Sequence, residues 1–234
     1  SDIGRIRSEL GDAGYGQDNA VNVFVTGYFQ ARMLSMIDKS RKRPRATFLF
    51  AGPPGVGKTF LAEKAAEVLK IPFMRFDMSE YADKEANLEF CGSDKVYKNA
   101  KQGNVTGFVS ENPRCILLFD EIEKAHMCVI HLFLQMLDAG RLRDNYTDEE
   151  VSFSDAIIIL TTNAGKQLSC RLLIEPIGRR KILPPHGTGA LPGQQPRRRR
   201  RLQLPADLGQ ITEAGIVIQQ ARLLHDEDAV LLAP

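Results

Sequence analysis

Apolar positions recur along the first two thirds of this chain in two rhythms. Val21, Phe24, Val25, Tyr28 and Phe29 fall at i, i+3, i+4, i+7 and i+8. That spacing predicts a helix with Asp18 as its N-cap, fading near Ile37. Thr47 to Ala51 is a short apolar run that predicts a strand. Leu61, Ala65, Val68 and Leu69 return to helical spacing, and Ile71-Pro72 ends that helix. Phe73 to Phe76 alternates as a strand and gives way to Asp77-Met78-Ser79-Glu80. Residues 81–107 read only as a polar stretch holding Gly92, Tyr97 and Gly103. Cys115 to Phe119 is wholly apolar, as in a parallel strand covered on both faces. Ile130, Phe133, Leu134 and Leu137 define a helix over His126 to Leu137, stopped by Gly140. Arg141–Arg143 and Val151–Phe153 flank a polar turn and suggest a hairpin, and Ala156 to Asn163 reads as a further buried strand. Residues 1–13 are polar and show no clear element. Strands alternating with helices predict an α/β fold, a parallel sheet sandwiched by helices.

The junction between the first strand and its helix carries the first chemistry. Gly52-Pro53-Pro54-Gly55-Val56-Gly57-Lys58-Thr59 fits the phosphate-loop pattern G-x-x-x-x-G-K-[ST]. Glycine lets backbone N–H groups turn inward toward phosphate oxygens, and the helix start presents its positive dipole end to the same anion. Lys58 is expected to reach the β- and γ-phosphates, and the Thr59 hydroxyl to hold Mg²⁺. Strand, glycine loop and helix in this order identify the fold as that of a P-loop NTPase.

The apolar run at 115–119 ends in Asp120-Glu121, about 60 residues after Lys58. Open α/β sheets bind ligands at the carboxyl ends of their strands. There Asp120 is expected to serve Mg²⁺, and Glu121 to polarise an attacking water. Asn163 is expected beside Glu121 at the same edge, positioning that water or sensing the γ-phosphate. His126 and His131 read as structural or surface residues rather than ligands, and Cys115 and Cys128 as core.

Composition narrows the class. The chain has 234 residues, 43% hydrophobic and 26% charged, with net charge +2. These are the values of an ordinary globular protein and name no charged partner. No run of about 18 apolar residues suggests a membrane span. The four cysteines form no C-x-x-C, so neither a disulfide framework nor a zinc site is indicated, and a reducing, cytoplasmic setting fits. Lys39 to Arg45 is a basic run. It reads as a solvated linker more readily than as a nucleic-acid contact, because no aromatic residue is interleaved.

Taken together these stretches resemble a known family. Residues 14–168 are similar to the large α/β subdomain of Clp-type AAA+ ATPases, the protein-unfolding and disaggregating chaperones. Gly16-Gln17-Asp18 with Ala20-Val21 resembles the family's lead into the adenine pocket. Gly52 to Thr59 resembles its Walker A loop, and Phe76 to Tyr81 the segment after its second strand. Leu118 to His126, including Glu123-Lys124-Ala125-His126, resembles its Walker B region. Leu137 to Leu142 and Thr161-Thr162-Asn163 resemble its later segment and sensor 1. The resemblance implies ATP and Mg²⁺ as cofactors. It implies nucleotide contacts at Tyr15, Gly16, the whole of Gly52 to Thr59, and Phe60, metal contacts at Thr59 and Asp120, and catalytic roles for Lys58, Glu121 and Asn163. It further implies protein substrates threaded through a homo-hexamer pore, with Tyr97 at the position of the gripping tyrosine. Tyr97 lacks the family's flanking glycines, and an ordinary loop tyrosine is the equal alternative.

The C-terminal third breaks from this pattern. All twelve Phe and five Tyr precede residue 154, whereas residues 171–234 hold seven of the twelve prolines and the run Arg197 to Arg201. A stretch of that composition cannot bury a core, so a largely disordered tail is expected, with one short helix possible over Ile211 to Leu224. The family's finger arginine and small helical subdomain are not recognisable there, as in a truncated or frame-shifted relative. The expected domains are a leader 1–13, an ATP-binding subdomain 14–170 and a divergent tail 171–234. The expected function is Mg²⁺-dependent ATP hydrolysis in protein remodelling, by a chain that alone stays mostly monomeric and turns over slowly. The alternatives are an ATP-holding regulatory module and a nucleic-acid loader, against which the Clp-like stretches argue.

Overall fold

In the computed structural model, two strands, β3 (Ile116–Asp120) and β6 (Ile157–Thr162), are buried at every position. The structure describes residues 2–13, 18–38, 40–163 and 217–220. These central strands lie between β1 (Ala46–Ala51) and β2 (Phe73–Asp77), all four parallel, in the order β2-β3-β6-β1. Successive side chains of a strand point to opposite faces. Accordingly Ile116, Leu118, Ile157 and Ile159 enter one core with Phe48 and Phe50, while Leu117, Phe119, Ile158 and Leu160 enter the other.

The first core is closed by three helices, α1 (Asp2–Ala13), α2 (Asp18–Ile37) and α3 (Lys58–Leu69). The polar leader is thus a helix. Ile6 and Leu10 sit four apart on its one apolar stripe and are buried against α2 and α3, a signal too narrow to stand out among its polar neighbours. Asp18 is the first residue of α2 rather than its cap, and its charge suits the helix N-terminus.

The opposite core contains α4 (Ala86–Cys91), α5 (Asn104–Glu111) and α6 (Met127–Ala139). The polar stretch 81–107 therefore holds one whole helix and the start of another. Its few apolar residues are fixed by aromatic packing: Phe90 meets the rings of Tyr81, Phe119 and Phe133 at centroid distances of 5.8, 5.8 and 5.4 Å. His126 caps α6 by accepting from the Cys128 N–H, and Gly140 ends it at φ +66°. Cys115 is buried in this core, and burial pushes its thiol up to about 12. Cys128 is only half-buried.

The hairpin β4 (Arg141–Arg143) and β5 (Glu150–Ser152) forms as expected. The basic run is exposed at Ser40 and Lys42, as in a solvated linker, but its arginines are paired. Arg41 donates to the carbonyls of Pro44 and Arg45, Arg43 pairs with Asp138 at 3.2 Å, and Arg45 with Asp155 at 2.5 Å. At the far edge β7 (Val217–Gln220) pairs antiparallel with β1, which corrects the short helix expected over Ile211 to Leu224. The pairing groups of β1's free edge supply what the local sequence of that stretch did not. Every other tail residue lies outside the described residues.

Candidate nucleotide site

Parallel register brings four strand ends to one edge. Ala51 lies opposite Thr162, and Asp77 opposite Asp120, so the phosphate loop, the two acids and Asn163 emerge side by side. The loop leaves β1 with the Gly52 N–H donating to the Thr162 carbonyl at 3.3 Å. Gly55 and Gly57 hold φ of +80° and +89°, and a Cβ on either would meet nothing within 4 Å. Backbone conformation, not crowding, demands glycine here. Pro53, Pro54 and Gly55 are exposed, and Val56 half-buried.

Lys58, the first residue of α3, is only 7% exposed. Its Nζ donates to the carbonyls of Gly52 and Pro53 and to Asn163 Oδ1, each at 2.8 Å. Burial pushes its ammonium below the ordinary lysine value, and the charges of Asp120, Glu123 and Glu121 partly offset that.

Asp120 is held from several sides. Thr59 Oγ1 donates to Oδ2 at 3.2 Å, Thr161 Oγ1 donates to Oδ1, and Arg75 Nη2 lies 2.7 Å from Oδ2. The Thr161 hydroxyl also accepts the Glu121 N–H at 2.9 Å. Glu121 takes a left-handed backbone, φ 58° and ψ 55°, a conformation sparsely used by residues other than glycine and one met at functional turns. Its carboxylate accepts from Asn163 Nδ2 and pairs with Lys124 Nζ at 2.5 Å. The hydrogen bond to Glu121, with its negative charge, raises the Lys124 ammonium's pKa. Glu123 Oε1 accepts the Asn163 N–H at 3.0 Å. The structure therefore brings Lys58, Thr59, Asp120, Glu121 and Asn163 into one connected network.

Sequence reasoning gave no role to Arg75, Glu123, Lys124 or Thr161. Lys124 could have been found, since it stands three residues after Glu121. An arginine on a short strand carries no such signal. Phe60 lies on the first turn of α3 and is 47% exposed. Tyr15 and Gly16 lie outside the described residues. Tyr97 stands elsewhere, on the loop between α4 and α5, and is 64% exposed beside Val96 at 88%. Among the described residues it shares no hydrogen bond or ion pair with the phosphate loop.

Asp144 anchors that loop from below. It is fully buried and accepts from the N–H groups of Gly103 (3.0 Å), Tyr146 (3.0 Å) and Thr147 (2.9 Å), and from the Thr106 hydroxyl. Burial alone would raise its pKa, but the hydrogen bonds from Thr106, Thr147, Gly103 and Tyr146 outweigh it and hold the carboxyl below the ordinary value.

The residues fit a magnesium nucleotide. A glycine loop opens onto a helix N-terminus, a buried ammonium lies beneath it, and a hydroxyl and a carboxylate converge at 3.2 Å. Among the described residues no group of three or more His, Cys, Asp or Glu could hold a metal. One carboxylate and one hydroxyl suit Mg²⁺, which keeps waters and takes substrate phosphates as further ligands.

Four parallel strands with a phosphate loop after β1 and an acidic pair at the end of β3 define a P-loop nucleotide-binding domain. The family described as AAA domain (Cdc48 subfamily) matches residues 43–173, more than half of the chain. The chain belongs to that family and, within it, to the Clp-type AAA+ ATPases. It is 47% identical over 131 residues to the ATP-dependent Clp protease ATP-binding subunit ClpE of Bacillus subtilis, covering 54% of this chain and 19% of that one. It is 41% identical over 165 residues to the chaperone protein ClpB of Clostridium perfringens, covering 69% and 19%. It is 39% identical over 152 residues to a ClpA homolog of Fuscovulum blasticum, covering 64% and 19%. The chain thus matches about a fifth of the length of these curated relatives. Among the described residues no helix is long and apolar enough to cross a membrane.

Proposed function

We propose that this domain binds Mg²⁺–ATP at the carboxyl edge of its sheet, hydrolyses it, and couples that cycle to the remodelling of protein substrates in the cytoplasm. One observation carries the reading: Asn163 bridges the phosphate-loop ammonium of Lys58 and the Glu121 carboxylate. A single side chain thereby links the group that meets phosphate to the group that meets water. Bound Mg²⁺ would neutralise charge on the β- and γ-phosphate oxygens, held through Thr59 and Asp120.

This chain's residues supply the rest. Lys58 exchanges its carbonyl partners for phosphate oxygens. Glu121, aimed by Lys124 and Asn163, accepts a hydrogen bond from the attacking water and takes up its proton. Thr161 fixes both acids by bonding the Asp120 carboxylate and the Glu121 N–H. Tyr97, on its exposed and anchored loop, contacts the protein substrate. A protein substrate is supported by the names of the ClpB and ClpE relatives, a chaperone and a protease's ATP-binding subunit.

The test is steady-state ATP hydrolysis measured beside ATP affinity on one sample, for the wild type and Glu121→Gln. Binding by both, with turnover lowered about 10²- to 10⁴-fold in the variant, is the expected result. Equal turnover in the two would overturn the assignment of Glu121.

A further inference from the structure

The Asp120 oxygen that faces Thr59 already has a cation beside it. Oδ2 receives the Thr59 hydroxyl at 3.2 Å and the Arg75 guanidinium at 2.7 Å. Arg75 comes from β2, the edge strand on this side of the sheet. Its side chain is 47% exposed, whereas that of Asp120 is 10% exposed. A solvent-linked cation therefore closes on a nearly buried carboxylate. Asp77, opposite Asp120 in register, is engaged elsewhere. Its Oδ1 accepts the Ser79 N–H at 2.9 Å and the Ser79 hydroxyl at 2.6 Å, and the ion pair that Arg75 makes is with Asp120. The remaining oxygen, Oδ1, is taken by Thr161.

Resting on the reading of Thr59 and Asp120 as the metal pair, we infer that Arg75 competes with the divalent cation for Asp120 Oδ2. A guanidinium and a hydrated dication repel each other, so each weakens the other's hold on that oxygen. Entry of the magnesium nucleotide then favours Arg75 leaving Oδ2, which its half-exposed side chain can do by swinging toward solvent. Arg75 thereby sets the Mg²⁺ concentration at which nucleotide is held, and keeps Asp120 neutralised below that concentration. It is a positioning residue, acting through Asp120 rather than on the nucleotide.

The competition is measured on the full chain by calorimetric titration of ATP across a MgCl₂ series and in chelator, for the wild type, Arg75→Ala and Arg75→Lys. Arg75→Ala should lower the half-saturating Mg²⁺ concentration about two- to fivefold, the scale of a partly exposed ion pair. Arg75→Lys should fall between the two. A merely structural role would not move the Mg²⁺ dependence. An unchanged half-saturation, with normal wild-type binding, overturns this inference alone. Weaker ATP binding by Arg75→Ala at every Mg²⁺ concentration also overturns it, by making Arg75 a phosphate ligand. A wild type that binds no nucleotide at any Mg²⁺ concentration overturns the reading of the site and this inference with it.

Discussion

The Asn163 amide donates to the Glu121 carboxylate although 42 positions separate the two residues. The contact exists because β3 and β6 are adjacent and parallel, so both chains turn out of the sheet at the same edge. The same side chain accepts from Lys58 through its other atom. Asn163→Ala should therefore leave ATP affinity within a few-fold of wild type while turnover falls about 10- to 100-fold. Parallel binding and turnover assays check this, and a loss confined to affinity would show that Asn163 serves only to hold Lys58.

Lys58→Ala removes the ammonium that now joins the loop carbonyls to Asn163. Charged hydrogen bonds contribute about 1.5–3 kcal/mol, so ATP affinity should drop about 10- to 100-fold with the fold retained. Calorimetry with circular dichroism on the same sample is the check. Unchanged affinity would mean that the loop backbone alone holds the phosphates.

Asp144→Ala strips the acceptor from five donors, those of Gly103 and Thr106 and those of Tyr146 and Thr147 in its own turn. Leaving these buried donors unpaired should cost about 2–4 kcal/mol of stability near neutral pH, read by urea denaturation.

The pH dependence of that loss has a defined sign. The folded-state pKa of Asp144 is depressed, so its contribution is full above the unfolded carboxyl value of about 3.9 and fades as pH falls through the lower folded value. The stability gap between wild type and Asp144→Asn should accordingly be flat from neutrality to about pH 5 and narrow only below about pH 4. A gap that widens on acidification would reverse the assigned sign.

Gly140→Ala places a Cβ at φ +66°, directly against the carbonyl of Lys42. Backbone strain and that contact together should destabilise the domain by about 1–3 kcal/mol. Thermal melting without nucleotide tests this, and a neutral substitution would show that the basic segment yields at Lys42.

The sequence by itself determined the elements whose signals are local. The phosphate loop needs consecutive residues between one strand and one helix, so Gly52 to Thr59 was legible in full. The buried strands β3 and β6 announced themselves because parallel strands covered on both faces are continuously apolar. Asp120 and Glu121 were legible from their place at the end of such a run, and Asn163 from the end of the next. Other features depended on partners distant in the chain. The leader became α1 because Ile6 and Leu10 found an apolar groove on α2 and α3. Phe90 fixed α4 because three other aromatic rings surround it. The arginines of residues 41–45 are paired with Asp138, Asp155 and nearby carbonyls, which a charge run does not reveal. Arg75 reached Asp120 only because β2 lies beside β3, and Asp144 gained Gly103 and Thr106 as donors only when the hairpin folded onto the loop. Local spacing encodes which face an element buries; strand order and register decide which distant polar groups then meet.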